Sequence, residues 1–146
     1  MRTDNGWDDS ANAWITDQGE HGDFGRRYVL DPVMVPRALA ADPVLLVTPL
    51  AAPALCFDLR RGCSVVEHLV TQGHPTYLVE YGEVSFKDRS LGMEHWIDEV
   101  VPAAIREASA HAGGRRVHVV GWSLGGIFAL LTAADQPDLP IASVTA

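Results

Sequence analysis

At 146 residues, with 47% of them apolar and a net charge of -8, the chain is long enough to bury one ordinary core and too acidic to suit nucleic acid or an anionic membrane surface as partner. Its opening residues offer neither a basic nor an apolar segment, and Pro49 and Pro53 break the best apolar run; no signal peptide and no membrane span are expected, and the default compartment is cytoplasmic. Cys56 and Cys63 have neither metal-ligand nor redox-motif spacing and read as reduced core thiols.

Residues 1–27 carry Asp4, Asp8, Asp9, Asp17, Glu20 and Asp23 with little to bury, which predicts a disordered acidic arm with at most one short helix near Trp14. The domain proper is expected over 28–146. Tyr28-Val29-Leu30 suggests a short strand, after which Pro32, Pro36 and Pro43 make a connector. Val44 to Thr48 is a continuous apolar run closed by Pro49, the pattern of a strand covered on both faces in a parallel sheet. A tight apolar loop follows over 50–54.

The next helix has two possible starts. Asp58 can cap it, with Leu59, Cys63, Val66, Leu69 and Val70 on one face; alternatively Ser64-x-x-Glu67 is a capping box. Gly73 ends it, and Thr76 to Tyr81 reads as a second buried strand. Met93, Trp96, Ile97, Val100, Val101, Ala104, Ile105 and Ala108 then keep helical spacing, with Pro102 expected to kink the helix because it cannot bond the carbonyl of Asp98. Gly113-Gly114 stops it. Val117 to Val120 and Ile141 to Val144 complete a set of strands alternating with helices, which implies right-handed crossovers and a mainly parallel α/β sheet with flanking helices.

The chemistry concentrates at Gly121-Trp122-Ser123-Leu124-Gly125-Gly126, where a valine-rich strand runs directly into a helical block. Gly-x-Ser-x-Gly in that context is the pattern of a nucleophile elbow: glycines let strand and helix approach, and the serine is lifted to a helix N-terminus. Ser123 is the candidate nucleophile, and the Leu124 amide a candidate oxyanion donor. The plain alternative is a glycine-rich turn that carries a serine. No phosphate-binding loop or metal cluster is recognisable, and this chemistry needs neither cofactor nor metal.

With these elements placed, the sequence resembles the α/β-hydrolase fold from its third strand through its sixth, and more narrowly the polyhydroxyalkanoate synthase branch. The likeness is carried by Asp58-Leu59-Arg60, Ser64-Val65-Val66, Tyr77-Leu78-Val79-x-Tyr81-Gly82, Asp88-Arg89-x-Leu91, Trp96, and the run from Gly121 through Ala134. Synthases of this kind carry cysteine in the elbow, and Ser123 in its place shifts the resemblance toward esterase or other acyl-transfer chemistry. The resemblance places a second oxyanion donor near Ala51, with Leu50 close behind.

It also implies a triad in the order serine, acid, histidine. After Ser123 there are only Asp135 and Asp138, which read as helix-end and turn residues, and no histidine. All six histidines precede the serine: His74 falls at the wrong edge of the sheet, His118 reads as a packed residue, and His95 and His111 read as solvent-facing. The expectation is therefore a partial α/β-hydrolase domain, truncated after the sixth strand. Its last strand would be an open edge available to a second polypeptide or to self-association. The function implied is hydrolysis of a small ester or thioester through an acyl-serine. Transfer of a hydroxyacyl group from coenzyme A, or a non-catalytic module, stand as alternatives.

Overall fold

A computed structural model describes residues 41–50, 52–60, 62–81 and 86–146, together with the backbone of 15–16 and 29–33. In chain order the strands are β1 (Ile15–Thr16), β2 (Val29–Val33), β3 (Val44–Val47), β4 (Asp58–Arg60), β5 (Cys63–Ser64), β6 (Thr76–Glu80), β7 (Val117–Gly121) and β8 (Ile141–Thr145). The α-helices are α1 (Val65–Thr71), α2 (Val101–His111) and α3 (Leu124–Asp135).

The main sheet has the order β1-β2-β6-β3-β7-β8. Its centre is β3, whose four residues are all buried, because an uninterrupted apolar run can satisfy only a position flanked by strands and covered on both faces. β6 and β7 flank β3 in parallel, and β8 lies parallel to β7 at the edge. At the other side the sheet is antiparallel: β2 pairs with β6, and β1 with β2. A short strand was expected at Tyr28-Val29-Leu30 with a proline-rich connector after it; β2 begins at Val29 and runs on through Asp31-Pro32, with Pro32 opposite Tyr77. An antiparallel strand tolerates proline where the neighbour does not call on its nitrogen. Ile15–Thr16 form the short strand β1, and the rest of the acidic arm, including Trp14 where a short helix was expected, lies outside the described residues.

The two candidate starts of α1 are resolved in favour of Ser64. Its Oγ accepts from the Glu67 N–H at 2.9 Å. The Glu67 carboxylate reaches back to the Gly62 N–H at 2.6 Å, two residues before the N-cap that a strict capping box would bond. Asp58 is not the cap: it is buried in β4, which pairs antiparallel with β5. That hairpin also overturns the expected stripe, since Leu59 is 61% exposed and Cys63 is exposed. Val66 carries the packing, with Leu69 and Val70. Cys56 is half-buried, and burial raises its thiol pKa.

Pro102 does more than kink its helix. His95–Val100 form a π-helical turn in which the Val101 N–H bonds the Trp96 carbonyl, five residues back. In that register the partner of the Ile97 carbonyl would be Pro102, which has no N–H. One side chain of α3 and one just past its end take over: Thr132 Oγ1 donates to the Ile97 carbonyl at 2.9 Å, and Gln136 Nε2 donates to that of Asp98 at 3.2 Å. His95, expected to face solvent, is half-buried, edge-on to Trp96 at 5.3 Å and with Nδ1 3.3 Å from a Glu99 carboxylate oxygen. Trp96 stacks on Phe128 of α3 at 6.1 Å, so the two helices share one core over this face with Leu45, Val47, Tyr77, Val79 and Val119. The opposite face is covered by α1 and the loop after β3, through Val44, Leu46, Ala54, Phe57, Val66 and Leu78. No helix among the described residues is long and apolar enough to cross a membrane.

Candidate active site

The site is built at the carboxyl end of β7. Val117, Val119 and Gly121 are buried toward α2 and α3, while His118 and Val120 point to the other face and are half-buried. The last link to the neighbouring strand is the Trp122 N–H, which donates to the Val47 carbonyl at 3.3 Å. The chain then reverses within one residue. Ser123 has φ 55° and ψ -122°, the only non-glycine residue with positive φ among those described. Holding a serine there costs about 1–3 kcal/mol, which the surrounding packing must sustain.

The glycines explain how it is sustained. A Cβ on Gly121 would lie 2.5 Å from the backbone of Gly125 and Gly126, and one on Gly125 would run into the Val47 and Thr48 carbonyls. Neither obstacle is a movable side chain, so strand and helix can cross at this distance only with glycine at both positions. The first turn of α3 closes through Gly125 N–H to the Trp122 carbonyl (3.0 Å) and Gly126 N–H to that of Ser123 (3.0 Å).

Ser123 itself is exposed. Directly after it, the Leu124 N–H has no acceptor among the described residues and lies at the positive end of the α3 dipole. Of the two candidates for a second donor, Ala51 lies outside the described residues. Leu50 is half-buried in the loop after β3, and its N–H has no acceptor among the described residues; the Ala52 N–H is committed to the Pro49 carbonyl at 3.1 Å. Thr48 anchors that loop, its buried Oγ1 donating to the Val79 carbonyl at 3.0 Å. Sequence reasoning passed over Trp122, whose indole is 56% exposed beside the serine. The only signal was its place inside the motif.

Acid and base are not brought to Ser123 among the described residues. The ring of His74 is 2.9 Å from the Asp42 carbonyl at the amino edge, and His111 accepts or donates at 2.9 Å to the buried Tyr77 hydroxyl. His118 bonds Ser143 at 2.7 Å, three residues below Gly121, and His95 pairs with Glu99. Asp135 closes α3 and Asp138 lies in the turn that follows, both exposed, as expected of helix-end and turn residues. Tyr81 sits at the carboxyl edge two residues past Val79, with its hydroxyl buried and without a partner among the described residues; burial pushes its pKa well above the usual phenol range. No metal-binding group of three or more His, Cys, Asp or Glu occurs among the described residues.

No family model matches the chain. Curated relatives do. The poly(3-hydroxyalkanoate) polymerase subunit PhaC of Cupriavidus necator is 34% identical over 111 residues, which is 72% of this chain and 18% of that protein. The subunits of the same name from Haloferax mediterranei and Haloarcula marismortui are 27% and 25% identical over 96 and 92 residues, covering 66% and 63% of this chain and 20% and 19% of theirs. The chain thus spans about a fifth of the length of these relatives. Among solved structures, a predicted CIB-like hydrolase from Thermoplasma acidophilum superposes with a TM-score of 0.59 at 18% identity, over 91% of this chain and 59% of that one. An α/β hydrolase from Novosphingobium aromaticivorans gives 0.52 at 17%, over 91% and 42%.

Sheet order, crossovers and structural neighbours define an α/β-hydrolase fold. Within it the sequence matches point one way: the chain belongs to the α/β-hydrolases on their polyhydroxyalkanoate synthase-like side.

Proposed function

We propose that this chain carries the nucleophile elbow of a serine acyl-transfer enzyme, with Ser123 attacking the carbonyl of a small ester or thioester to form an acyl-serine. The observation that carries the reading is the strained serine at φ 55°, fixed between β7 and α3 by glycines that tolerate no side chain. Strain at a solvent-exposed serine is expected where the position of its hydroxyl matters. The Leu124 amide, with that of Leu50 or Ala51, would face the oxyanion. Attack also needs a base for the serine proton; the rings of His74, His95, His111 and His118 are engaged elsewhere and His68 lies exposed on α1, so that role is assigned to none of them.

An alkyl fluorophosphonate probe tests the proposal. Label on Ser123, abolished by Ser123→Ala, is the expected result; a folded sample in which Ser123 stays unlabelled refutes autonomous nucleophilic activation. A second reading, transfer of a hydroxyacyl group from a coenzyme A thioester to an acceptor, is favoured by the likeness to proteins named poly(3-hydroxyalkanoate) polymerase subunits. Coenzyme A release that depends on a hydroxyacyl acceptor separates it from hydrolysis. The parallel edge of β8, with exposed Ile127, Leu130 and Leu131 on α3 beside it, supports completion by a second polypeptide or a second copy. Size-exclusion chromatography with light scattering, of the chain alone and with candidate partners, tests that.

A further inference from the structure

Away from the elbow the structure assembles a second group of serine, histidine and aspartate, from three separate elements. On β7, His118 alternates with the buried Val117 and Val119 and so points to the face opposite α2 and α3. Ser143 of β8 lies opposite it in the ladder, and its Oγ is 2.7 Å from His118 Nδ1. On the other side of the ring, His118 Nε2 is 4.0 Å from a carboxylate oxygen of Asp42, in the segment leading into β3. The side chains of His118 and Asp42 are 37% and 54% exposed, and Ser143 is exposed, so the group is open to small molecules.

The contacts fit one tautomer. If the Ser143 hydroxyl donates to Nδ1, the neutral imidazole carries its hydrogen on Nε2, the nitrogen that faces Asp42. That is the division of labour of a serine, a base and an orienting acid, with the two ring nitrogens exchanged relative to the usual arrangement. The Asp42 carboxylate is too far for a hydrogen bond and acts through its charge.

We propose that Ser143, His118 and Asp42 form a second acyl-accepting site, independent of Ser123, that takes acyl groups from small activated esters. Ser143 Oγ attacks the ester carbonyl while its proton passes to His118 Nδ1. The tetrahedral intermediate collapses by breaking the bond to the leaving oxygen, which departs with the proton from His118. Water then attacks the acyl-Ser143 ester by the same course, returning the carboxylic acid and the free serine.

The test incubates the full chain with p-nitrophenyl acetate and locates the acetyl group by fragment-ion mass spectrometry, which tells Ser143 from Ser123 on any shared peptide. Acetyl on Ser143 is expected, with its formation slowed about 100-fold in His118→Asn and less in Asp42→Asn. Acetylation confined to Ser123 or to Lys87 overturns the proposal, as does a Ser143 rate unchanged in His118→Asn. Ser143→Cys gives a readout that does not depend on turnover: iodoacetamide should alkylate Cys at 143 faster than the exposed Cys63, and the advantage should vanish when His118→Asn is added. Equal rates at the two thiols refute activation by His118.

Discussion

Replacing Thr132 by valine isolates the contact that makes the π-helical turn tolerable. Thr132 is fully buried, and its hydroxyl is the donor 2.9 Å from the Ile97 carbonyl. Valine keeps the shape and removes the donor. The carbonyl then stays desolvated with nothing to bond, because the residue that the π register would offer it is Pro102. Leaving such a group unsatisfied costs about 1–3 kcal/mol. Taking ~2 kcal/mol, and the few degrees per kcal/mol usual for a domain of this size, Tm should fall by roughly 6 °C. Urea unfolding followed by far-UV circular dichroism gives the free energy directly, provided the m-value is unchanged.

Thr132→Ser keeps the donor and should cost only about 1 kcal/mol for the lost methyl. Pro102→Ala restores an N–H and lets the helix return to α register, where the Val101 N–H reaches Ile97. In that background Thr132→Val should lose most of its penalty, a coupling of ~1 kcal/mol or more. A Thr132→Val protein within about 0.5 kcal/mol of the parent, or a penalty unaltered by Pro102→Ala, refutes the account.

Gly125→Ala should not yield a folded protein, because its Cβ meets the Val47 and Thr48 carbonyls, and a near-random far-UV spectrum is the expected observation. Ser123→Gly should raise Tm by a few degrees over Ser123→Ala, since only glycine relieves the positive φ; equal Tm values would mean that the serine is unstrained. At alkaline pH the protein should lose stability through Tyr81 and, less strongly, Tyr77, both with phenol pKa values raised chiefly by burial. The sign follows from a folded value above the unfolded value of about 10: the contribution is whole below that pH and is lost as pH climbs past it. Tyr81→Phe should therefore flatten the decline of the urea midpoint between about pH 9 and 11.

What the sequence made legible was local. The turn at Gly121 to Gly126 could be read because the glycines, the serine and both flanks lie within a few residues, and the clashes that demand glycine are between adjacent elements. β3 could be read because a run buried on both faces has one pattern. The misreadings involve partners in another element. Asp58 looked like a cap until the hairpin of β4 with β5 claimed it, and that hairpin turned Leu59 outward. The defect at Pro102 was visible, but its remedy was not, since Thr132 and Gln136 come from another helix and its C-cap. The start of β2 was legible at Val29-Leu30, but its continuation was not, because its partner β6 begins more than forty residues later and Pro32 argues against a strand. His118 and Ser143 looked unrelated in sequence, and only the register of β7 with β8 joins them.

The unequal covering of the two sheet faces has a consequence for how the molecule opens. On the side of α2 and α3, aromatic stacking, the cross-helix hydrogen bonds and a long aliphatic cluster tie the helices to β7. On the side of α1, a seven-residue helix and the short β4–β5 hairpin rest on a much smaller cluster. Amide hydrogen exchange should resolve these as separate units, with α1 and the hairpin exchanging through local openings while β7 exchanges only on global unfolding. Ser123 is then anchored to the slowest-exchanging part of the fold, where a high-energy backbone conformation is held even while the α1 side opens.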